Sequence, residues 1–303
     1  MKLLFNTTVL GHLNIPITMR KFILLIFLMP VNTFTAQANL LITPTRIEFD
    51  QRERSAKVSL VNTSTETKTY KIFWRQQKQL PDGRYQHFTS EEEMRDFPRA
   101  DSMLRYSPRQ VTLKPGERQH IRIAVRRPKG IQDGEYRSHL VFEAKANKRD
   151  QAAGYNVQPG IKLYVNLAFS IPIIVREGNL HSTATLKNVE LITKQVNGST
   201  LLGANITINR NGLHSSFGNL SVYWQDTASS TEKQIGILNN IAIYTEVDER
   251  KVTIGLPEHS VKSGTLRIVY KGSKEYDGLT FIDQSLIIKG SDYHPMATDL
   301  VTQ

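Results

Sequence analysis

Between Ile161 and Val175 every odd-numbered position carries a large apolar residue: Ile161, Leu163, Val165, Leu167, Phe169, Ile171, Ile173 and Val175. A period of two marks a β-strand with one apolar face, because successive side chains leave a strand on opposite sides. The even positions carry Lys162, Tyr164, Asn166, Ala168, Ser170, Pro172 and Ile174, so the other face is mixed and most polar near its start. At about 3.3 Å per residue the run would reach roughly 50 Å, well beyond the usual strand of about 5 to 6 residues. Either the whole row is buried in the chain's own core, or part of it is presented to a partner.

The rest of the chain reads as all-β, since short alternating runs punctuated by Gly, Pro, Asn and Asp recur and helix-period patterns are scarce. The first half offers strands at Leu40–Phe49, Lys57–Asn62, Thr67–Arg75, Tyr106–Leu113, His120–Val125, Tyr136–Ala144 and Ile161–Arg176. Seven short strands with turn signals between them suit an immunoglobulin-like sandwich. Pro81-Asp82-Gly83 reads as a hairpin turn, and Lys114-Pro115-Gly116-Glu117 places Pro and Gly where a type II turn requires them. Alternation stops at Arg176-Glu177-Gly178-Asn179, which puts the boundary between a first domain, 39–177, and a second, 178–290. The second holds strand patterns at Ala184–Ile192, Leu201–Asn209, Gly218–Gln225, Gln234–Tyr244, Lys251–Ile254, Thr265–Tyr270 and Leu279–Ile288, again a sandwich, and 291–303 reads as a polar tail.

Export is written at the start. Met19-Arg20-Lys21 is a basic n-region, Phe22 to Pro30 an apolar h-region and Ala36-Gln37-Ala38 an A-x-A cleavage signal, so 1–38 reads as a secretory leader with its core at 19–38. A membrane anchor would need about 20 apolar residues, and no stretch is that long, so no membrane insertion is expected. The chain has no cysteine, which excludes disulfides, thiolate metal sites and thiol nucleophiles. Removing Lys2, Arg20 and Lys21 from the net charge of +11 leaves +8 for the exported part. An exported basic chain whose cations are dispersed among Glu91, Glu92, Glu93 and Asp96 is not read as binding nucleic acid. An anionic protein partner is the better use of the charge.

No constellation for catalysis stands out. The seven histidines after the leader, at 87, 120, 139, 181, 214, 259 and 294, form no local metal motif. There is no H-E-x-x-H, G-x-S-x-G, P-loop or G-x-G-x-x-G. The chain is read as no enzyme, with no cofactor and no metal. What remains is binding through strands. Pro44 and Pro172 both fall inside strand patterns, and proline is confined mainly to edges, strand starts and bulges because it cannot donate to the ladder. An exposed apolar edge invites pairing with another chain.

Several blocks then carry a likeness: Ile42-Thr43-Pro44-Thr45-Arg46-Ile47-Glu48-Phe49, Val61-Asn62, Trp74, Tyr106 through Leu113-Lys114-Pro115-Gly116-Glu117-Arg118-Gln119 to Ile121-Arg122-Ile123, and Ile171 to Arg176. In order and spacing this resembles the periplasmic pilus-assembly chaperones of the chaperone-usher pathway. The likeness covers most of Asn39 to Glu177; in the second domain it rests on strand pattern and on Gly218-Asn219-Leu220 and Leu266-Arg267-Ile268-Val269-Tyr270.

The resemblance implies a boomerang of two immunoglobulin-like domains. It also implies a periplasmic location and a strand lent to unfinished pilin subunits, donor-strand complementation, before delivery to an outer-membrane usher. Matching Arg176 to the family's arginine brings the donor positions onto Leu163, Val165 and Leu167, with Ile161 extending the row. These belong to the set that alternation alone picks out. The same exposed strand offers a route to self-association. The resemblance further implies that Arg46 anchors the pilin's terminal carboxylate and that Arg122, Glu135 and Arg176 form an ionic cluster between the domains. It departs from the family at Pro172, where a second anchoring cation is expected; Arg137 or another cleft cation is left to substitute. The rival reading is a secreted two-domain structural or adhesive β-sandwich protein that buries the long strand in itself, and an exported enzyme is the third.

Overall fold

The computed structural model describes residues 39–145, 155–158, 161–163, 167–196, 199–227, 231–257, 263–289 and 292–295. The leader expected at 1–38 and the donor position Val165 lie outside them. In chain order the first half forms β1 (Leu40–Thr43), β2 (Ile47–Phe49), β3 (Ser55–Asn62), β4 (Lys68–Arg75), β5 (Gln77–Gln79), β6 (Tyr85–His87), β7 (Leu104–Ser107), β8 (Gln110–Leu113), β9 (Arg118–Val125), β10 (Gly134–Ala144), β11 (Tyr155–Gln158), β12 (Ile161–Leu163) and β13 (Ala168–Glu177). The second half forms β14 (Thr183–Val196), β15 (Ser199–Asn211), β16 (Ser216–Asp226), β17 (Lys233–Ile243), β18 (Glu249–Leu256), β19 (Gly264–Gly272), β20 (Thr280–Ile288) and β21 (Tyr293–Pro295).

Two β-sandwiches of immunoglobulin-like architecture result. In the first, the sheet β1-β3-β9-β7 faces the sheet β2-β13-β10-β4-β8. Their alternating inward residues, among them Leu60, Ile121, Ile123, Ile72, Leu140, Phe142 and Ile173, make one core. In the second, β18-β15-β14-β21 faces β17-β16-β19-β20 around Ile206, Ile208, Leu220, Val222 and Ile268. Both are antiparallel except where β2 runs parallel to β13 and β21 parallel to β14.

Three of the strands read from the sequence are divided in the structure. Leu40–Phe49 is two strands, divided near Pro44, with β1 in one sheet and β2 in the other. Tyr106–Leu113 divides in the same way at Pro108, into β7 and β8 in opposite sheets. A proline cannot donate to a ladder, and at both places the chain crosses the sandwich. The Ile161–Val175 run is likewise not one strand of one sheet, as the next section describes. The stretch read as a polar tail contains β21, whose pairing with Leu191–Thr193 of β14 is a backbone interaction that needs no apolar period.

Candidate functional site

The described part of the apolar run falls into two pieces with different partners. Ile161–Leu163 pairs antiparallel with Tyr155–Gln158 as a separate two-stranded sheet. Ala168–Glu177 pairs along its length with β10, from Glu143 opposite Ala168 to Gly134 opposite Glu177. On the other side of β13 the three-residue β2 reaches only Ile173, Ile174 and Val175. Among the described residues no strand covers that edge from Ala168 to Pro172. Ile171, Ile173 and Val175 are buried in the first core and Phe169 packs partly against it. Leu167, the last of the positions expected to be donated, is 46% exposed, while its carbonyl accepts the Ala144 N–H at 3.0 Å.

At its far end β13 delivers Arg176 to the junction of the sandwiches. Cross-strand pairing sets Glu135 opposite it, and Arg176 Nε donates to Glu135 Oε2 at 2.9 Å. The second sandwich completes the cluster. Ser215 donates its N–H and its hydroxyl to the same Glu135 oxygen at 3.0 and 2.8 Å, and Arg176 Nη1 donates to Glu275 Oε1 at 2.6 Å. Burial alone would raise the Glu135 pKa, but the Arg176 and Arg46 guanidiniums and the Ser215 hydrogen bonds outweigh it and hold the carboxyl below its ordinary range. Gly178 then turns the chain out of β13 at φ +81°, where a Cβ would sit 2.5 Å from the Asp133 carboxyl.

Arg46 belongs to this cluster. It lies between β1 and β2, 5% exposed, with Nε 2.8 Å from Glu48 and Nη2 3.2 Å from Glu275, and its guanidinium stacks 4.2 Å from the Phe217 ring centroid. The cation assigned to a partner's carboxylate is thus closed by two of the chain's own. Its Nη1 has no hydrogen-bond partner among the described residues. Burial raises the Glu48 pKa despite Arg46 beside it.

Arg122 is not in the cluster. It stands exposed on the outer face of β9, between Ile121 and Ile123, which point into the core. Two apolar neighbours in the inward register force the residue between them outward. Glu275, Ser215 and Arg46 take the place assigned to it. The first two come from the second sandwich, where no sequence period singled them out.

A second polar junction surrounds Arg137, the candidate substitute for the cation missing at Pro172. Arg137 is 2% exposed, pairs with both oxygens of Glu246 at 3.0 and 2.5 Å, and stacks 3.7 Å from the Tyr244 ring centroid. It ties the first sandwich to the second and is no open cation. The β5–β6 hairpin adds to the tie: Gln79 N–H donates to Glu246 at 2.6 Å, Tyr244 N–H to the Gln79 side chain at 3.2 Å, and Lys251 N–H to the Pro81 carbonyl at 2.7 Å. Opposite Pro172 on β10 lies His139, 1% exposed, its ring edge-on to Tyr85 at 5.2 Å. Burial, then Arg137 and His87, hold its pKa well below the ordinary value. Among the described residues no group of three His, Asp or Glu is placed to hold a metal.

No protein-family model matches this sequence, and no curated protein does. Several solved structures align with it at low identity. A chain of a chaperone-tip adhesin complex of CFA/I fimbriae biogenesis is 17% identical, with 83% of this chain and 98% of that one covered and a TM-score of 0.40. The class 5 fimbriae chaperone CfaA is 18% identical over 82% of this chain and 98% of its own, TM-score 0.40. The CsuC-CsuE chaperone-subunit complex of the archaic chaperone-usher Csu pili of Acinetobacter baumannii gives 12% identity, 86% and 100% coverage and a TM-score of 0.40. The chain is similar in structure to these pilus chaperones.

Proposed function

We propose that this chain is a periplasmic chaperone that captures pilin subunits by lending them the strand segment from Ile161 to Leu167, and that it passes them to an outer-membrane usher. One observation carries the reading: the apolar row continues past the core to an exposed Leu167, at the end of β13 whose edge from Ala168 to Pro172 no described strand covers. A subunit lacking a strand exposes an apolar groove and unpaired backbone groups, and an open edge with a projecting apolar row meets both needs. Burying Ile161, Leu163, Val165 and Leu167 in such a groove would contribute on the order of 6 to 12 kcal/mol gross, before the costs of association. The Tyr155–Gln158 strand occupies one edge of Ile161–Leu163, so capture uses the other edge or opens that hairpin.

Arg46 serves in this reading as the carboxylate anchor by exchange. The incoming C-terminus takes the place of Glu48 or Glu275 at a guanidinium already held in position by Phe217, with Nη1 as a free donor. Glu135 and Arg176, joined to Ser215 and Glu275, set the angle between the sandwiches. The test is co-expression with a candidate pilin. Leu163→Glu with Leu167→Glu abolishes the one-to-one complex while the chaperone stays folded; a complex that survives both changes overturns the donor assignment.

A further inference from the structure

The outer face of the β1-β3-β9-β7 sheet carries cations and no counter-charge. Its four strands contain no Asp or Glu. Arg118, His120 and Arg122 project from alternate positions of β9, and all three are exposed. Lys57 lies directly opposite Arg122 on β3, and Arg105 projects from β7 on the far side. Like charges directly opposite each other weaken a sheet pair, and among the described residues none of these four Lys and Arg side chains forms an ion pair. The second sandwich handles a surface cation differently: Arg267 on β19 is held by Asp283 at 2.6 Å and Glu232 at 3.0 Å.

We infer that this face docks on an anionic lipid surface. The charges form a broad array on a sheet face, the geometry that meets many headgroups at once. Tyr106, the only aromatic residue of the four strands, is half-buried and packs on the core, so the face lacks the exposed aromatic anchors that concentrate binding in protein interfaces. Leu41, 53% exposed on β1 in the row of Val61 and Arg118, gives the array an apolar edge that can enter the headgroup layer. The donor segment continues from β13, which belongs to the opposite sheet, so docking leaves it free. The inference does not rest on pilin capture.

The test uses the chain from Asn39 to Gln303, which forms one compact unit, without pilin. It should co-sediment with vesicles of phosphatidylglycerol and phosphatidylcholine, not with phosphatidylcholine alone, and less as salt rises. Lys57→Gln with Arg122→Gln should lower the apparent affinity by about thirtyfold, and Lys57→Glu with Arg122→Glu by more. The matched reversal Lys194→Glu with Lys233→Glu, exposed positions of the second sandwich, should leave it unchanged. Equal binding to neutral vesicles, or equal losses from the two reversals, overturns the inference. So does a chain that ignores vesicles but is retained on immobilised polyglutamate, which assigns the face to an acidic protein.

Discussion

From Ile171 to Val175 the alternating row is buried, with β10 along one side and β2 along part of the other; at Leu167 the same period continues into solvent. The two ends are alike in pattern and differ in what covers them. Alternation specifies which side of a strand is apolar, while cover depends on the reach of neighbouring strands, and β2 is only three residues long. An apolar period that outlasts its own sheet is therefore informative at the point where the cover stops.

Substitutions along this strand and its β10 partner should separate the ends. Removing the partner of a buried ion is the most disruptive change, so Glu135→Ala, which leaves Arg176 with Glu275 as its remaining anion and strips Ser215 of its acceptor, should cost about 3 to 5 kcal/mol in denaturant unfolding. In the middle, Pro172 faces His139, whose proton affinity is depressed in the folded chain. The unfolded chain therefore binds a proton first, and the contribution of His139 is complete above about pH 6.5 and is lost as pH falls below that, by up to about 1.4 kcal/mol per pH unit. His139→Asn should flatten that slope in stability measured from pH 7 to 5, and an unchanged slope would assign it to other groups. The last comparison pairs the two ends directly. Ile173→Ala should cost about 2 to 5 kcal/mol, and Leu167→Ser no more than about 0.5; equal losses would mean that the outer end is packed like the inner one.

Much of the fold was legible because it depends on local pattern. Gly83 and Gly116 adopt the positive φ that the two turn motifs called for, and the Glu117 N–H donates to the Lys114 carbonyl across the second turn. Pro44 was read as a sign of a sheet edge and Pro108 was passed over inside a single strand, because the division of each strand between opposite sheets depends on long-range pairing. The partnership of Glu135 with Arg176 followed from a family pattern, whereas Arg122 was misplaced although Ile121 and Ile123 beside it already fixed its direction. Glu275 and Ser215 lie outside regular strands and became visible only when the second sandwich was placed against the first. Arg46 was read as the anchor of a partner's carboxylate; its closure by Glu48 and Glu275 was not legible, because it depends on one neighbour and one residue 229 positions away.

The hydrogen bond from Lys251 to the Pro81 carbonyl has a consequence for solubility. β18 is an edge strand of its sheet, and an edge strand with free N–H groups can template pairing with another molecule. The tip of the first sandwich's hairpin occupies one of those donors, and Arg250 grips the same carbonyl at 3.2 Å. The first half of the molecule thus shields a weak border of the second, and a chain whose halves came apart would lose its angle and gain an aggregation-prone seam in the same event.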